Sequence, residues 1–162
     1  MRDYQKYATI VAVFAAVLYA ALLVASFGVI SLAMDLEVIS DPDAGSLVGL
    51  VMTGVAVLVV FLMMLLLGVR TPPEHQRIVV GYAIGTGFAA LAAFLLTGAL
   101  LHGRGEGVLA NLLSFPLELL AAPFSWTVGI LAFVITVVYS WLLAARFTER
   151  GRPLWPWERR GE

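Results

Sequence analysis

The residue types that do chemistry are few in this chain, and their spacing suits none of the familiar reactions. The two histidines, His75 and His102, lie at opposite ends of a long apolar stretch, and there is no cysteine. A haem held between helices needs axial ligands such as a facing pair of histidines, and these two are too far apart along one helix to supply them. Without a thiol there is no disulfide, no iron–sulfur cluster and no cysteine-built zinc site. A zinc-protease helix carries H-E-x-x-H, whereas Glu74-His75 has the acid first and no second histidine behind it. Asp41-Pro42-Asp43-Ala44-Gly45 resembles the start of a calcium loop. Such a loop needs an oxygen ligand at its fifth position and Gly at its sixth, where this chain has Gly45 and Ser46. The segment reads as a solvated turn punctuated by Pro and Gly. His75 likewise reads as a turn residue and His102 as an interfacial one. No glycine-rich loop with lysine is present for nucleotide phosphates. The sequence thus predicts no catalytic residue, no cofactor and no metal.

One acid stands in an apolar context. Glu118 lies within Val108–Pro123 (VLANLLSFPLELLAAP), where Asn111, Ser114 and Glu118 share a helical face opposite leucines. An ionisable group at membrane depth is a functional candidate. On an amphipathic helix at the surface it is the wet side, and this second reading is preferred. Glu118 is the candidate polar site. The segment is too short to span and holds Pro116, so it is expected to be interfacial or re-entrant.

The elements around these residues are apolar. Hydrophobic residues make up 61% of the 162 and charged ones 13%, against about 45–50% and 25% in soluble domains. Four uncharged stretches, at 8–34, 47–69, 78–101 and 124–145, are long enough at about 1.5 Å per residue to cross a ~30 Å hydrocarbon core. The first is longer than the apolar region of a signal peptide, about 7–15 residues, so it is read as an uncleaved span. The fold expected is all-α: a polytopic membrane four-helix bundle in a single domain over 1–162, with an extra short helix before the last span.

Small residues suggest how the spans pack. Ala8, Ala12, Ala16 and Ala20 recur every four residues, along one helix face. The second span has a small face near its start, at Gly45, Gly49 and Thr53, and is otherwise bulky and assigned to lipid. In the third span Gly81, Gly85, Ala89 and Ala92 form one small stripe, and Thr86, Ala90, Ala93 and Thr97 form another. Ile84, Phe88, Leu91 and Leu95 form a bulky stripe assigned to lipid. This pattern makes the third span the expected central helix, and Gly85→Leu is expected to disrupt assembly. Trp126, Tyr139 and Trp141 are read as aromatic-belt residues.

Charge gives an orientation. Four spans place Arg2, Lys6, Arg70, Arg77, Arg146, Arg150, Arg152, Arg159 and Arg160 on one side, with Arg104 alone opposite, near Asp35, Glu37, Asp41, Asp43, Glu106 and Glu118. The positive-inside rule puts both termini in the cytoplasm. The tail 146–162 (RFTERGRPLWPWERRGE) is expected to lie on headgroups through Arg and Trp. Its charge is too modest for nucleic acid.

The acidic first loop and the tail RGRPLWPWERR give a chain that resembles the small uncharacterised four-span membrane proteins of GC-rich Gram-positive bacteria. The resemblance implies a plasma-membrane location and no activity. The function expected is that of a non-catalytic accessory or scaffolding component, packing with a second copy or a membrane-protein partner in the lipid bilayer. The alternative is a small transporter or channel for a neutral or lipid-like solute, with Thr53, Thr86, Thr97, Thr136 and Ser140 as its polar path.

Overall fold

The computed structural model describes residues 2–35, 47–70, 79–102 and 119–147. Four long helices account for nearly all of them: α1 (Arg2–Met34), α2 (Leu47–Arg70), α3 (Val80–His102) and α4 (Pro123–Phe147). All four contain a stretch long and apolar enough to cross a membrane. There is no strand among the described residues. The helix ends fall within about a turn of the uncharged stretches, except that α1 starts at Arg2. Nothing in RDYQKY breaks a helix, so the polar head extends the span. At the other end Asp35 takes a left-handed conformation, φ 52°, which stops α1 where the acidic segment begins. A single helical turn at residues 119–121 and a bend at Ala122 precede α4. The architecture is therefore a four-helix membrane bundle with an extra short helical element before the last span.

Consecutive helices are neighbours, and α4 closes the ring against α1. Helices α2 and α4 also touch across the short diagonal. The third span is thus a corner helix packed on α2 and α4, not the central one that its glycines suggested. The most enclosed helix is α4, which contacts all three others; 44% of its apolar window is buried, against 28% in α1 and in α2.

The inward faces follow spacings of three and four residues, which keep side chains on one side of a helix. They are Ala8, Ala12, Ala16, Tyr19, Leu23 and Phe27 on α1, and Met52, Ala56, Val60, Met64 and Leu67 on α2. On α4 they are Val128, Ala132, Ile135, Tyr139 and Leu143. Burial of Met52, Val60 and Met64 corrects the assignment of the bulky part of the second span to lipid alone. At one end Phe27 fills the long diagonal, its ring 6.2 Å from that of Phe94 on α3 and 5.5 Å, edge-on, from Phe124 on α4.

Tyrosine hydroxyls cross between helices. Tyr19 of α1 donates to the Val128 carbonyl of α4 at 3.0 Å. Tyr139 of α4 donates back to the Ala8 carbonyl of α1 at 3.2 Å. Tyr82 of α3 donates to the Met63 carbonyl of α2 at 2.7 Å. Tyr19 and Tyr139 are completely buried, so no water competes for their protons. An interhelical hydrogen bond in a membrane contributes about 0.6 kcal/mol, at most about 1.7. Tyr19→Phe and Tyr139→Phe are each expected to lower unfolding free energy in bicelles by about that amount. Ala8 and Tyr19 lie roughly 16 Å apart along α1, so the losses should add in the double variant. A reversible unfolding titration of the three variants measures this.

Candidate functional site

The faces named by the sequence are dealt with unequally. On α1, Ala8, Ala12 and Ala16 are buried and Ala20 is half-buried. This stripe turns inward. On α3, Gly81, Gly85 and Ala92 are exposed and Ala89 is half-buried. A Cβ added at Gly81 or Gly85 would have nothing within 4 Å. Within the bundle Gly81 and Gly85 therefore make no close helix contact. The second small stripe is the one inside: Thr86 and Ala90 are buried, Ala93 and Thr97 half-buried. Of the bulky stripe, Ile84 and Phe88 are exposed, while Leu95 packs against the core.

The close approaches occur at glycines the stripes did not select. A Cβ on Gly87 would sit 2.9 Å from the Gly129 carbonyl oxygen, and one on Gly129 would sit 3.4 Å from the Gly87 oxygen. Helices α3 and α4 meet backbone to backbone there, which is what small residues allow in membranes. A Cβ on Gly68 would collide with the Tyr139 hydroxyl and lie 3.0 Å from the Ala8 Cβ. Gly68 of α2 is thus the socket in which Tyr139 of α4 reaches α1. The signal available in the sequence was the series Ala83, Thr86, Gly87, Ala90 and Phe94, at spacings of three and four. A search confined to small residues passes over it because Phe94 is large.

The hydroxyls proposed as a polar path are committed to their own helices. Thr53 donates to the Gly49 carbonyl (2.8 Å), Thr86 to Tyr82 (3.0 Å) and Thr97 to Ala93 (2.7 Å). Thr136 donates to Ala132 (2.7 Å) and Ser140 to Val137 (2.9 Å). This back-bonding satisfies a buried hydroxyl locally. Tyr139, expected in the aromatic belt, is in the core with its hydroxyl on α1. Trp126 and Trp141 are exposed. No group of three His, Cys, Asp or Glu occurs among the described residues. Glu118 and His75 lie outside the described residues, as does the part of Val108–Pro123 before Leu119.

The two classes of glycine predict opposite outcomes. Gly87→Ala forces backbone apart from backbone, and overpacking of this kind costs about 1–3 kcal/mol. Gly85→Ala meets open space and should leave stability unchanged or raise it by up to about 1 kcal/mol through helix propensity. Unfolding titrations of the two variants side by side distinguish them.

No curated protein and no solved structure matches this chain. One family model does, over residues 1–162. It takes in all four helices and the segments between them, and on that match the chain belongs to DUF6121, a family of unknown function.

Proposed function

We propose that this integral membrane protein is a non-catalytic accessory or scaffolding component of the plasma membrane, with both termini in the cytoplasm. It would associate with a second copy or a membrane-protein partner through the outer face of α3. The observation behind this reading is the small face left over once the bundle has closed. Gly81, Gly85 and Ala92 are exposed, with open space beyond both glycines. Short side chains let another helix approach closely, and in lipid close packing is a principal source of helix association. The orientation follows from the one-sided arginines.

The transporter reading has less support. Its five candidate hydroxyls donate inside their own helices, and large side chains, Tyr19, Phe94, Phe124, Met52 and Met64, fill the interior.

The test is a double variant, Gly81→Leu with Gly85→Leu, examined in nanodiscs. Both leucines point into open space, so the bundle should unfold at an unchanged midpoint. Association should fall, seen as loss of a higher-mass species or of a co-purifying membrane protein. A wild-type chain that is strictly monomeric and partner-free would falsify the proposal.

A further inference from the structure

We infer that the seam between α3 and α4 holds one acyl chain of a glycerolipid, with the ester carbonyl of that chain on the Trp126 indole N–H. A groove of about 210 Å³ runs along this seam on the outside of the bundle. Its floor is the crossing of Gly87 and Gly129. The glycines that bring the two helices together thus also leave the floor without side chains. Its walls are Ile84 and Phe88 on α3 and Trp126 and Ile130 on α4, all exposed. The lining runs from Ile84 to Leu91 on one helix and from Trp126 to Phe133 on the other, about 10 Å at 1.5 Å per residue. Over that length the volume amounts to roughly 20 Å² in section. Size selects the occupant. A helix with its side chains is about 10–12 Å across, so it would rest on the walls without reaching the glycines. A methylene chain, about 4 Å across at carbon contact, needs roughly 13 Å² and fits singly. Such a chain meets protein on three sides, contact that a helix perched on the walls would forgo.

The side chains lining the groove carry one polar group, the Trp126 N–H. It has no hydrogen-bond partner among the described residues. An indole nitrogen is a donor only, so plain hydrocarbon leaves it unanswered and an ester carbonyl does not. Trp126 stands at the end of the groove nearer the start of α4, and Phe133 at the end nearer the middle of that helix. This order matches a lipid, whose acceptor oxygens lie closer to the membrane surface than the chain they carry. The site is separate from the association proposed for α3, because none of Gly81, Gly85 and Ala92 lines the groove.

The test is lipid retention. The chain is reconstituted in vesicles of dioleoylphosphatidylglycerol, extracted in mild detergent and weighed intact by native mass spectrometry. The wild-type monomer is expected to keep one lipid after detergent has stripped the rest. Phe88→Ala with Ile130→Ala takes one wall from each helix and should lose that lipid. Both side chains are exposed, so the unfolding midpoint should not move. Phe14→Ala with Val24→Ala, similarly exposed on α1, should keep the lipid. Trp126→Phe retains a ring but no donor, and should lower retention about two- to tenfold, the worth of one hydrogen bond. Vesicles of the ether-linked analogue, which has no ester carbonyl, should lower wild-type retention by the same factor and leave Trp126→Phe unaffected. A wild-type chain without lipid would overturn the inference, as would loss of lipid from the α1 variant or equal retention of ester and ether lipids. A dimer lost in the wall variant, its monomer free of lipid, would put a second copy's helix in the groove and overturn it too.

Discussion

The bundle depends on how closely its backbones can come together at a few points. Lipid tails are as apolar as leucine, so burying a leucine between two membrane helices gains little over leaving it in the bilayer. What remains is van der Waals contact and the hydrogen bonds that close contact permits. At one end, Gly68 makes room for Tyr139, whose hydroxyl reaches the Ala8 carbonyl. Three helices are tied at that point by one missing side chain and one phenol. Midway, Gly87 and Gly129 let α3 and α4 meet carbonyl to Cα, and Tyr19 binds α1 to α4 on the other side. The tyrosines work in both directions between α1 and α4, so neither helix can slide or rotate without breaking a bond that no water can replace.

These contacts also decide what is left outside. Gly87 and Phe94 must face inward, and a helix has only one orientation that satisfies both. Gly81 and Gly85 then turn outward, although they are equally small. The association proposed for α3 is therefore a residue of the internal packing: the fold uses one small face and leaves a second free. A lipid-facing helix has no need of glycine, since a bulkier residue there keeps the helix stiffer. This gives the exposed pair a reason to be read as a contact surface.

The spans were legible because their signal is absolute. A charge-free stretch long enough to cross hydrocarbon has few other readings, and all four uncharged stretches are helices. Facing was legible only in part, as at Ala8, Ala12 and Ala16, because a helix apolar all round offers no polar side to mark the outside. Size alone then had to stand for burial, and size misled. Gly85 is open and Gly87 is closed, only two residues apart, and the difference is set by Gly129, a residue on another helix. Tyr139 was placed in the belt by its nearness to the end of an uncharged stretch. In the bundle α4 continues to Phe147, and the hydroxyl finds a backbone carbonyl instead of an interface. The candidate acid Glu118 precedes Leu119, outside the described residues, in a segment whose length and proline leave interfacial and re-entrant readings both open.

The level at which α4 starts, relative to its neighbours, is a consequence of register. Raising α4 to match the ends of α1 and α3 would shift it by roughly 13 Å, more than two helical turns. Gly129 would leave Gly87, and the Val128 carbonyl would leave Tyr19. Tyr139 would leave its socket at Gly68. No other glycine pair on α3 and α4 could take over, because between Phe124 and Phe147 the only glycine is Gly129. The bundle therefore keeps the register that its single crossing point dictates. Ser125 and Pro123 suit the bend before α4, one supplying a donor and the other removing one. Packing specificity thus sets where α4 starts relative to its neighbours, and the level of the bend at Ala122 follows from where one glycine lies.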